Sequence, residues 1–145
     1  MMVWSVFLGR LLPVRAESPQ QSEGESRDVS LTIPARPDHL VLARLALSAV
    51  CRLTPLSADE IADLKLAVTE AANDYVDEAR PDDQEGRLSF AFMLRDDRLV
   101  LELRGPATEV SDVEQELGRA IIDATVDESS FGADHTTLVK YLSSA

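Results

Sequence analysis

Ser57-Ala58-Asp59-Glu60-Ile61-Ala62-Asp63-Leu64-Lys65-Leu66-Ala67-Val68-Thr69-Glu70-Ala71-Ala72-Asn73-Asp74 is the stretch on which the reading of this chain turns. Ser57 followed three positions later by Glu60 is a capping box, in which hydroxyl and carboxylate each satisfy a backbone N–H that a helix start leaves without a partner. Ile61, Leu64, Val68, Ala71, Ala72, Tyr75, Val76 and Ala79 then recur at helical spacing, which predicts a helix with one apolar face running until Pro81. Glu70, Asp74 and Asp77 fall on its acidic side.

Upstream, Pro37 to about Leu53 carries Leu40, Val41, Ala43, Leu45, Leu47 and Val50, too dense a pattern for a strand and long enough for a mostly buried helix. Pro55 separates the two helices, and Val29–Ile33 alternates apolar and polar residues before Pro34, as a strand does. Downstream, RLSFAFMLRDDRLVLELRG reads as a hairpin turning at Asp96-Asp97, with Leu88, Phe90, Phe92 and Leu94 on one face of the first strand. Leu99, Leu101 and Leu103 do the same on the second. A third helix over Val110 to about Thr125, a short strand near Ser129 to Phe131 and a closing strand over Thr136 to Leu142 complete the order. That order predicts an α+β two-layer sandwich: a mainly antiparallel mixed sheet covered on one face by about three helices.

The first sixteen residues, MMVWSVFLGRLLPVRA, are apolar but lack a basic segment ahead of the hydrophobic part, so they read as an extension and not as a signal peptide. ESPQQSEGESRD follows with the composition of a disordered linker. Residues 1–28 are therefore expected to be extension and linker, and 29–145 a single domain.

The formal net charge is −12, which argues against direct nucleic-acid binding, since that draws on Lys and Arg clusters. Charged partners should be basic. No apolar run approaches the roughly 20 residues that span a membrane. A lone cysteine, Cys51, excludes an internal disulfide framework and a cysteine metal site, which fits the reducing cytoplasm; near the end of an apolar helix it reads as a small buried hydrophobe. His39 and His135 lie far apart in sequence, against a histidine metal site.

Taken in order, ARPDHLVLARLALSAV, LSADEIADLKLAVTEAANDYVDEA, RLVLELRG, LGRAIIDATVDESSF and TTLVKYL resemble the anti-sigma serine kinases of bacterial partner-switching systems, within the Bergerat or GHKL (histidine-kinase-like) ATPase superfamily. DLKLAVTEAAND carries the strongest likeness. In that family a glutamate acts as general base for the attacking hydroxyl, and an asparagine four residues later holds Mg²⁺ on the same helix face, about 5 to 6 Å away. The resemblance assigns the base to Glu70 and places Asp74, not asparagine, at the metal position; Asn73 lies one residue early. Read without the resemblance, Glu70, Asp74 and Asp77 are the solvated face of an amphipathic helix.

The remaining nucleotide motifs are eroded. Where the family shows Asp-x-Gly-x-Gly, this chain has Leu103-Arg104-Gly105-Pro106-Ala107 and keeps only Gly105. Loss of that aspartate removes a charge-assisted hydrogen bond to the adenine amine worth about 1.5–3 kcal/mol, or one to two decades of affinity. Gly118 stands for the glycine-rich turn under the phosphates, and Thr136 and Thr137 for a Gly-Thr-Thr turn, though two threonines are also ordinary strand formers. Arg44 falls where similar proteins contact both the sigma factor and its competitor. The resemblance thus implies ATP and Mg²⁺ as ligands, retained or lost, together with a homodimer. Two functions follow from it. One is an anti-sigma factor that sequesters an alternative sigma factor and yields it to a STAS-domain anti-anti-sigma protein; the other is an active ATP-dependent serine kinase that phosphorylates that antagonist.

Overall fold

A computed structural model of the protein describes residues 3–7, 10–14, 27–76, 86–106, 108 and 110–143. In chain order these form β1 (Val3–Phe7), β2 (Arg10–Val14), β3 (Arg27–Pro34), a 3-10 turn (Pro37–His39), α1 (Leu40–Cys51), α2 (Ala58–Ala72), β4 (Arg87–Leu94), β5 (Arg98–Arg104), α3 (Asp112–Thr125), β6 (Glu128–Phe131) and β7 (His135–Tyr141). The strands make one seven-stranded sheet in the order β2-β1-β3-β4-β5-β7-β6. Every neighbouring pair is antiparallel except β1 with β3, so the sheet is the mixed, mainly antiparallel one expected.

Alternation along the strands sets the core. Register brings Leu31 beside Phe90, Ile33 beside Leu88, Phe90 beside Leu103, Phe92 beside Leu101, and Leu101 beside Leu138. All are buried, whereas their chain neighbours on the opposite face, such as Ser30, Thr32, Ala91 and Glu102, are only half-buried. One face of the sheet is therefore covered, and the helices cover it with Leu47, Leu64, Val68 and Ile122 among others. Cys51 joins this core, and burial pushes its thiol up to about 11. Within the helical layer α2 is central, packed on α1 and on α3.

The helix ends differ from the periodic reading in two places. α1 starts at Leu40, after a 3-10 turn over Pro37–His39 in which the Leu40 N–H donates to the Pro37 carbonyl three residues back. Val41 and Leu45, counted above with its buried residues, are exposed. α2 starts as expected: Ser57 Oγ accepts from the Glu60 N–H at 3.1 Å, and the Glu60 carboxylate accepts from the Ser57 N–H at 2.9 Å. It stops at Ala72, well short of Pro81. Asp74 and Tyr75 donate their N–H groups to the carbonyls of Ala71 and Ala72, three residues back, which tightens the last turn and ends the helix. Tyr75 is nonetheless buried, by reaching into the sheet, so spacing alone could not reveal the stop. Asp77, Ala79 and Pro81 lie outside the described residues.

Two strands lie within the segment read above as extension. β1 runs parallel to β3, with Trp4 opposite Val29 and Phe7 opposite Thr32, and β2 pairs with β1 at the sheet edge. Most of the expected linker, residues 17–26, is outside the described part, and a domain boundary near Val29 remains a proposal. Among the described residues no helix is long and apolar enough to cross a membrane.

Candidate functional site

A cavity of about 360 Å³ opens between the end of α2, the start of α3 and the β6–β7 turn, lined by Asp74, Tyr75, Thr108, Gln115, Arg119, Phe131, Gly132, Ala133 and Thr136. Each wall follows from local sequence. The tightened turn after Ala72 carries Asp74 and Tyr75 out of helical register and aims them at β7. Thr108 fastens that turn, its hydroxyl donating to the Asp74 carbonyl at 2.7 Å. Ser111 caps α3 by accepting from the Glu114 N–H at 3.1 Å, and this fixes the phase that turns Arg119 inward.

Tyr75 and Thr136 form the floor. The tyrosine and threonine hydroxyls are 2.7 Å apart, and both residues are almost fully buried, at 2% and 1% exposure. A side-chain hydrogen bond in such surroundings is strong because no water competes for it. Burial raises the Tyr75 phenol above its ordinary range despite the Thr136 hydrogen bond, with the Asp74 and Asp134 charges adding to the rise. Gly105 packs at close quarters beneath: a Cβ there would lie 3.0 Å from Leu88 Cδ1 and 3.3 Å from Tyr75 Cβ. The Gly105 N–H donates to the Asp134 carbonyl, tying β5 to the β6–β7 turn.

Arg119 and Asp74 supply the charge. The Arg119 guanidinium stacks on the Phe131 ring, 4.4 Å from its centroid, and its Nε is buried without a hydrogen-bond partner. Burial raises the Asp74 carboxyl above the usual carboxylate range, and Arg119 only partly offsets that.

Glu70 sits one turn back from this cavity. It is half-buried, and its Oε1 lies 3.3 Å from the position a Cβ on Gly118 would take, so the glycine in α3 is what lets the carboxylate approach. On the other flank of α2, Arg44 donates from Nη1 to Thr69 Oγ1 at 3.3 Å. Adjacent residues of one helix thus reach its two neighbours.

Of the residues singled out from sequence, Asp74 and Thr136 line the cavity, Gly105 packs against the lining residue Tyr75, and Gly118 and Glu70 meet between α3 and α2 one turn back from it. Two fall elsewhere. Asn73 is exposed as the C-cap of α2, and Thr137 lies on the opposite face of the sheet, 3.1 Å from His135 Nε2, because alternate strand residues point to opposite sides. Tyr75, Thr108, Arg119 and Phe131 were not read as site residues. Arg119 left one signal, as the sole basic residue in the acidic stretch DVEQELGRAIIDAT.

Residues 33–139 match the histidine kinase-like ATPase domain. The chain belongs to that family. Among its relatives, the serine-protein kinase RsbW of Bacillus subtilis is 34% identical over 106 residues, covering 72% of this chain and 66% of that protein. RsbW of Bacillus licheniformis is 35% identical over 107 residues with the same coverage. RsbW of Listeria monocytogenes is 29% identical over 92 residues, covering 62% of this chain and 59% of that protein. The match therefore spans about two thirds or less of each relative's length. A crystal structure of the RsbU and RsbW domains of a Mycobacterium tuberculosis protein superposes with a TM-score of 0.59 at 20% identity, covering 93% of this chain and 36% of that one, which supports the fold.

Membership of an ATPase domain family raises the question of whether these side chains suit ATP and Mg²⁺. They do not. Leu103, at the position of the adenine-recognising aspartate, is fully buried in the core beside Thr136. The Thr136 hydroxyl already has a partner in Tyr75. At the metal end, Asp74 is the only carboxylate among the residues lining the cavity, and burial raises it with Arg119 offsetting part of the rise. Among the described residues no three His, Cys, Asp or Glu side chains converge as a metal site.

Proposed function

We propose that this histidine kinase-like domain is an anti-sigma regulator that works by binding alone. It holds an alternative sigma factor and gives it up when a STAS-domain anti-anti-sigma protein competes for the same surface. The reading rests on the likeness to RsbW, with ATP binding weak or absent and no phosphoryl transfer from ATP with Glu70 as base. The observation that carries it is the closed floor of the cleft, where Tyr75 and Thr136 satisfy each other and Leu103 belongs to the core. A group that is already hydrogen-bonded and dry offers an incoming purine nothing to exchange for its lost hydration.

The partner surface in this reading is the outer side of α1. Arg44 uses one donor on Thr69 and keeps others for carboxylates, between Val41 and Leu45, which are 46% and 61% exposed. A guanidinium flanked by exposed aliphatic groups is the composition of an interface anchor. A cytoplasmic homodimer completes the proposal, and the acidic charge of the chain suits a basic partner.

Calorimetric titration of the purified protein with Mg-ATP, paired with affinity capture from the host, tests this. The expected result is no micromolar heat of binding, capture of a sigma subunit, and weaker capture by Arg44→Ala. Micromolar Mg-ATP binding with phosphate transfer to a co-purified antagonist would establish the kinase instead.

A further inference from the structure

α3 has two apolar sides. One faces the core through Gly118 and Ile122. The other consists of Val113, Leu117, Ala120 and Ala124, at i, i+4, i+7 and i+11, which lie on one line along the helix. All four are exposed, Val113 at 76% and Leu117 at 63%. These two are the most exposed large hydrophobic side chains among the described residues. An ordinary surface helix is polar on the side away from its core.

The margins of this stripe carry one sign of charge. At 100° per residue Asp112, Glu116 and Asp123 run along one margin and Glu114 along the other, and all four are exposed. The only base on the helix, Arg119, is turned inward onto Phe131. An apolar line bordered by carboxylates selects its occupant by charge. A second copy of α3 would set like charges against each other, and an anionic membrane or a nucleic acid would be repelled in the same way.

We propose that the outer face of α3 docks a partner protein through an amphipathic helix whose apolar side is flanked by Lys or Arg. The stripe would be read at i, i+4 and i+7 by the partner's aliphatic residues, and the acidic margins would fix orientation and exclude acidic helices. This surface lies across α2 from Arg44 and does not depend on the sigma-factor reading.

The test uses the full chain and a fluorescent helical peptide of leucine and lysine, about 18 residues or five turns long, with leucines on one face. Its leucine–glutamate counterpart is the control. The lysine peptide should bind and the glutamate peptide should not. Val113→Ser/Leu117→Ser, which leaves the charge unchanged, should weaken binding about tenfold or more with an unaltered thermal melt, because both residues are exposed. Glu116→Lys/Asp123→Lys should weaken it as well and admit the glutamate peptide. Unchanged binding by the serine variant would reduce the effect to net charge and overturn the proposal. So would sedimentation showing that the stripe buries itself in a dimer, or binding to vesicles of anionic phospholipid abolished by the serine variant.

Discussion

At residue scale, the bond between Tyr75 and Thr136 ties the end of α2 to β7 across 61 positions of sequence. Tyr75→Phe keeps the ring and removes the hydroxyl, leaving a buried threonine oxygen unsatisfied, and should lower unfolding stability by about 1–3 kcal/mol in denaturant titration. Asp74 gives a pH signature. Burial raises its carboxyl in the folded state, so the native chain holds a proton that the unfolded chain has already released. Its ionisation therefore opposes folding, and stability falls as pH rises through the raised value. Asp74→Asn should melt higher than the parent at neutral pH, with the difference vanishing as pH drops below the ordinary carboxylate range. A variant less stable than the parent at pH 7 would mean that the attraction to Arg119 outweighs burial. Neither side chain's role was legible beforehand, since a polar contact between distant segments leaves no periodic mark. Thr136 was legible only through the resemblance, and Tyr75 was counted as one more apolar helix residue.

At the scale of elements, signals held wherever the physics was local. The Ser57–Glu60 box, the alternation of Leu88 to Leu94 and the turn at Asp96-Asp97 involve neighbours a few positions apart, and each element stands where those neighbours place it. The far end of α2 escaped because it depends on where Tyr75 finds a partner. Gly118 belongs at this scale too. Glycine within a helix is less stable than alanine by about 0.5–1 kcal/mol, so its presence in mid-α3 needs a reason, and the close carboxylate of Glu70 supplies one. The clash is with the mobile end of a side chain, not with backbone. Gly118→Ala should accordingly stabilise the protein by up to about 1 kcal/mol while moving Glu70 a few tenths of an ångström. A lower melting temperature would show that Glu70 is held more firmly than its contacts suggest.

For the whole molecule, the two-layer arrangement was readable because helix and strand patterns alternate in one order that few sheets accommodate. The strands at the amino terminus were not, since MMVWSVFLGRLLPVRA has no polar alternation to mark an edge strand. Among the residues whose burial is described, the core runs from Leu31 to Val139. Deleting residues 1–26 should therefore leave a cooperative thermal transition while exposing the β3 edge, and the truncated chain should self-associate more in sedimentation than the full one. Loss of the cooperative transition would place the hairpin inside the folding unit.

The closed floor beneath Asp74 has a physiological corollary. If, as proposed, the Tyr75–Thr136 floor offers a purine no purchase, the protein does not sense the adenylate pool, and starvation or plenty would leave it in the same state. On this reading, its response to the environment is set by how many copies of each rival macromolecule the cell makes, and timing passes from chemistry to gene dosage and turnover.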